Sequence, residues 1–142
     1  MRFQMALCGL ALFMAGSASA GETLRLLNHS ADDVVVDLGA KGDSVGDLMS
    51  FSEPVFDWDN TVQLGLQEGL CVRTVVGKHW YCQWVYTVPE GALTVQGVYN
   101  DTGDSQYVVT GGAGKYLGAR GVVKAHLRDA EKSYWELIYE LQ

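Results

Sequence analysis

Positive charge is scarce in this chain, with 10 Lys and Arg against 17 Asp and Glu. A surface so acidic repels phosphate backbones and anionic lipid heads, so nucleic acid is not an expected partner. Histidine is rarer still. His29, His79 and His126 stand alone, with no second ligand at the short spacings that a metal centre uses, and no metal site is expected. Cysteine amounts to three residues, Cys8, Cys71 and Cys82. Long apolar runs are missing as well. The run from Met5 to Met14 is too short to span a bilayer, so no membrane insertion is expected. No linker, repeat or low-complexity stretch divides the chain, and no segment argues convincingly for a helix.

That apolar run follows Arg2 and precedes Ala18-Ser19-Ala20, the pattern of a secretory signal peptide cleaved after Ala20. The expected organisation is a signal peptide over 1–20 and one domain over 21–142, secreted or periplasmic. Losing Arg2 takes the formal charge from −7 to −8. An oxidising compartment and two remaining cysteines suggest a disulfide between Cys71 and Cys82. A four-residue hairpin loop over Val75 to Lys78 sets the two directly opposite on adjacent antiparallel strands, close enough to bridge.

The remainder reads as strands. TLRLLNH, DVVVDL, GLCVRTVV, HWYCQWVYTV, ALTVQGVY, SQYVVT, ARGVVKAHL and SYWELIYEL are rich in β-branched and aromatic residues and are separated by Gly, Asp, Asn and Pro clusters. In the last of them, Trp135, Leu137, Tyr139 and Leu141 alternate with Tyr134, Glu136, Ile138 and Glu140, which favours a half-buried strand over an amphipathic helix. Eight antiparallel strands must hide their edges, and the expected fold is all-β, an eight-stranded antiparallel β-barrel.

Three motifs invite chemical readings. TGGAGKYLGARG, from Thr110 to Gly121, has Val109 where a P-loop needs its first glycine and Tyr116 where it needs a hydroxyl for magnesium. As a dinucleotide fingerprint it fails at Leu117, and no helix follows to hold a phosphate. It reads as a glycine-rich turn, and no cofactor is expected. GDSVG, from Gly42 to Gly46, matches a nucleophile elbow in letters but lacks the strand before it and the helix after it, so Ser44 belongs to a polar loop. The stretch from Asp57 has Glu68 at the twelfth position of a calcium loop but Val62 at the sixth, where glycine makes the sharp turn, and reads as a solvated acidic loop.

GDLMSFS (Gly46 to Ser52), EGLCV (Glu68 to Val72), LTVQGVY (Leu93 to Tyr99) and VVTGGAGKYLGARGVVK (Val108 to Lys124) resemble the allene oxide cyclase family. GKYLGARG is similar to the same turn in plant dirigent proteins. The resemblance implies an eight-stranded barrel, often a homotrimer, that cyclises an unsaturated fatty-acid epoxide in the cyclases and steers phenoxy-radical coupling in the dirigents. With Asn28 taken as the family's first-strand asparagine, Leu26 stands where the cyclases carry a glutamate. Glu53 replaces their water-holding asparagine, Thr102 replaces a tyrosine, and Tyr99 and the lumen cysteine, Cys71, are kept. These departures argue against the plant cyclase reaction itself.

Strand alternation places Trp84 and Tyr86 on the face of Cys82, with Tyr99 on the next strand. If that face lines the lumen, these aromatics form a ligand-binding wall for a small hydrophobic molecule, and Glu53 with Asn28 is the catalytic candidate. The competing readings are a Glu53 exposed in a loop beside Pro54, a non-catalytic lipocalin-like carrier, and a structural or interaction protein whose barrel is filled by side chains.

Overall fold

The computed structural model describes residues 21–30 and 33–142; the expected signal peptide lies outside them. Among the described residues the strands are β1 (Glu22–His29), β2 (Val34–Val36), β3 (Leu48–Asp57), β4 (Gln63–Val75), β5 (His79–Val88), β6 (Gly91–Asn100), β7 (Ser105–Gly114), β8 (Gly121–Asp129) and β9 (Tyr134–Leu141). Every neighbour pair from β3 to β9 is an antiparallel hairpin, β9 pairs back on β1, and β1 pairs with β3. The result is a closed eight-stranded antiparallel barrel, without helices among the described residues and with β2 laid outside the ring against β3.

Two details correct the strand reading. DVVVDL is not a wall strand: only Val34–Val36 is extended, and all three valines are exposed. The eighth wall strand is instead LMSFSEPVFD, whose Pro54 disguises it because proline cannot donate to a ladder. The register shows how the proline is tolerated. Along one side β3 pairs continuously with β4, but on the other β2 covers only Leu48 to Ser50 and β1 only Val55 to Asp57. Among the described residues, Phe51 to Pro54 therefore face a seam with no second paired neighbour.

Period-two alternation fills the interior. Trp80, Cys82, Trp84 and Tyr86 of β5, Leu93 and Val95 of β6, and Leu137, Tyr139 and Leu141 of β9 all point inward and are buried. Burying such large apolar side chains stabilises the fold by ~1.5–3 kcal/mol each before the entropy of ordering them is counted. The filling is uneven. At one end Tyr86, Leu93, Val109, Tyr116 and Tyr139 pack the lumen solid, with Tyr86 and Tyr139 5.9 Å apart between ring centroids. The other end, where β1 finishes and the β4–β5, β6–β7 and β8–β9 turns lie, is left partly hollow.

Loop geometry settles the three motifs. Ser44 Oγ donates to Leu38 O at 2.7 Å and to Asp47 Oδ1 at 3.0 Å, so the hydroxyl of GDSVG closes its own loop. Asp57 accepts from the Thr61 and Val62 amides at 2.6 and 3.1 Å and from the Thr61 hydroxyl at 2.7 Å, a self-contained turn. The glycine-rich stretch is the end of β7 followed by a turn, in which Gly114 and Gly118 have φ of 61° and 80°, values that glycine adopts without strain.

Candidate functional site

The hollow end encloses a cavity of about 100 Å³ that opens to solvent. This is smaller than the ~150 Å³ apolar cavity that encloses a benzene ring, so a ring entering it would stand partly in the mouth. The cavity walls come from all eight strands of the barrel. Met49, Phe51 and Glu53 enter from β3, Gln67 and Cys71 from β4, Cys82 and Trp84 from β5, and Tyr99, Tyr107, Ala125, Trp135 and Leu137 from the strands beyond. Asn28 and Ser30 follow from the end of β1, and Asp33 from the segment beyond it.

Three features fix its shape. Cys71 and Cys82 are cross-strand partners joined in a disulfide, their Cα atoms 4.0 Å apart, and both are buried in the cavity wall. The floor is tied by Trp84 Nε1 donating to the Tyr139 hydroxyl at 3.2 Å, while Tyr107 meets the Trp84 ring edge-on at 4.5 Å. Tyr99 and Trp135 form a second edge-on pair at 5.6 Å. At the same end Arg73 is buried, forked between Asp43 at 2.6 Å and Asp101 at 2.6 and 2.8 Å, and stacked 4.2 Å over Trp80. This charge is spent on holding two loops together.

Glu53 is not in a loop. It points inward from β3, is 4% exposed, and accepts a hydrogen bond on Oε2 from Asn28 Nδ2 at 2.9 Å. Burial in apolar surroundings raises its carboxyl to about 8, and the nearby Asp33 carboxylate pushes the same way, against hydrogen bonds from Ser30 and Asn28 that favour the anion. At neutral pH Glu53 is largely protonated and can act as a proton donor. Burial likewise pushes the Tyr99 hydroxyl upward, with the Asp101 and Asp33 carboxylates adding to the effect. Both tyrosine and glutamate thus present O–H groups rather than anions.

Of the residues singled out from sequence, Asn28, Glu53, Trp84 and Tyr99 come together at this cavity, as do the two cysteines. Tyr86 does not. It shares the inward face, but lies two residues further along β5, in the packed end beside Tyr139. Leu26 is a buried core residue between Asp57 of β3 and Leu137 of β9 in register, so its position on the first strand carries no acid. Sequence reasoning passed over Gln67 and Tyr107, although counting back by twos from Cys71 or forward from Ser105 reaches both. It could not find Asp33, which reaches Glu53 only through the fold of the chain.

Residues 27–129 match the sequence profile of the allene oxide cyclase family, most of the chain. The chain belongs to the allene oxide cyclase family. Solved structures similar to this family member include a pyocyanin demethylase, at TM-score 0.74 and 23% identity over 85% of this chain and 100% of the other. The pterocarpan synthase dirigent protein PsPTS1 gives 0.70 at 13% identity over 87% and 94%. The Diels–Alderase AbmU from Streptomyces koyangensis gives 0.70 at 17% identity over 86% and 63%. At these identities the shared property is the allene oxide cyclase barrel; the chemistry depends on each lumen.

Proposed function

We propose that this protein binds a small, mostly apolar molecule in the open half of its barrel and directs its cyclisation or coupling. Glu53 serves as the acid and Asn28 holds it. The observation that carries the reading is a buried carboxyl held by Asn28 inside an aromatic cavity. Removed from water, Glu53 can give its proton or a strong hydrogen bond to an oxygen of the bound molecule, while Trp84, Tyr99, Tyr107 and Trp135 dictate its folded shape. Cyclisation returns the proton, so the step needs no cofactor. The reactions named for the structural neighbours, demethylation, pterocarpan synthesis and Diels–Alder addition, support the idea that this barrel shape suits small organic substrates.

We also propose that the protein works outside the cytoplasm, in keeping with its disulfide, and that it assembles as a homotrimer through the outer faces of β3 to β6. The lumen is tested by incubating the purified domain with unsaturated fatty-acid epoxides, and separately with phenols plus an added one-electron oxidant that generates their radicals, and resolving product stereoisomers. Wild-type protein should enrich one isomer and Glu53→Gln should lose most of that enrichment. Tight binding with no change in product would make the protein a carrier, and no binding of either class would overturn a small-molecule role.

A further inference from the structure

Beside Glu53, directly across the β3–β4 ladder, stands Gln67. It points into the same cavity and is 6% exposed, and its Oε1 is buried without a hydrogen-bond partner among the described residues. Two of the donors lining the cavity are already committed: Asn28 Nδ2 to Glu53, and Trp84 Nε1 to Tyr139. Leaving a carbonyl oxygen buried and unpaired is costly, so a donor brought by water or by a bound molecule would be favoured there.

We propose that Gln67 is a specificity-determining residue, whose free carbonyl oxygen selects ligands bearing a hydroxyl on an aromatic or enolic ring. This deepens the lumen reading above and rests on it. Directly opposed residues on paired strands have Cβ atoms about 5 Å apart, so the Glu53 and Gln67 head groups converge on one point of the cavity. Protonated Glu53 offers a hydrogen there and Gln67 asks for one. A hydroxyl is the small group that accepts the first and donates to the second at once. An ether or a ketone can only accept, so it leaves Gln67 unsatisfied, and sites built this way reject the analogue that lacks the donor. The cavity is open and holds about 100 Å³, so the hydroxyl end of a ring can enter while the rest of the molecule stands in the mouth.

The test is calorimetric titration of the full domain with para-propylphenol and with its methyl ether. Wild-type protein should bind the phenol at least about tenfold more tightly. In Gln67→Leu the preference should fall to near unity through weaker phenol and stronger ether binding. The melting temperature of Gln67→Leu should not drop, since an unpaired buried acceptor has been removed, whereas a purely structural glutamine would give a clear loss. Gln67→Met provides a second variant of similar size. Equal binding of the two ligands by the wild type, or a preference that survives both substitutions, overturns the role of Gln67 while leaving the lumen reading intact. If neither ligand binds, the lumen reading fails and takes this inference with it.

Discussion

Glu53 carries the chemistry and also a cost in stability. Its folded-state pKa is raised from the ordinary 4.5 to about 8, so its contribution to stability is complete below about pH 4.5 and is lost as pH rises through about 8. Charging it in the lumen opposes folding by about 1.4 kcal/mol for each unit between the two values. Wild-type melting temperature should therefore fall between pH 5 and pH 8.5 relative to that of Glu53→Gln, which keeps the shape and the Asn28 contact but cannot ionise. Curves that stay parallel across that range would show that Glu53 is ionised throughout. At this scale the sequence was informative where period-two counting applies: Trp84 and Tyr99 could be placed on the lumen face. It was uninformative on depth, so Tyr86 was assigned to the cavity although it lies in the packed end, and it could not bring Asp33 to Glu53.

At the scale of the element, β4 shows how tightly part of the cavity wall is packed. It puts Gly69 between Gln67 and Cys71 on the inward face, and a Cβ there would meet Gln83 O at 2.3 Å, Trp84 Cβ at 2.6 Å and Phe51 Cζ at 2.8 Å. The missing side chain lets Phe51 and Trp84 approach each other across the strand. Gly69→Ala should destabilise the fold by ~1–3 kcal/mol, as overpacked positions do, and weaken ligand binding, both measurable by urea denaturation and titration. An unchanged denaturation midpoint would mean that the wall yields at this point. β3 shows the limit of reading elements from sequence. Composition and turn signals found seven of the eight wall strands, but Pro54 hid the eighth, and the short valine run of β2 took its place in the count. The proline is harmless only because β1 and β2 stop short of it on either side, a fact of tertiary pairing that no local pattern contains.

For the whole molecule, closing the barrel removes edges but leaves an apolar belt outside. Leu48, Leu66, Leu70, Tyr81, Val85 and Val98, on β3 to β6, are each 38–41% exposed. Apolar side chains grouped on adjacent strands suit contact between subunits. Light scattering should give the mass of a trimer, and Leu70→Glu with Val98→Glu should shift it to the monomer with little change in circular dichroism. A monomeric wild type would remove the trimer from the proposal. The barrel shape itself was legible from the number and alternation of strands, whereas the division into a solid and a hollow half was not. That division arises from which inward residues happen to be large at each level, and it needs the register of all eight strands.

The seam beside Phe51 to Pro54 makes the barrel less like a pipe than like a clasp. Across it, among the described residues, β1 fastens the ring where Leu26 to Asn28 meet Val55 to Asp57, and Asn28 is also the residue that grips Glu53. Amide exchange should therefore be fastest, within the wall, along this fastening, and a molecule settled between Glu53 and the aromatics should slow it by bracing both sides. The same few residues would then set how long a guest stays.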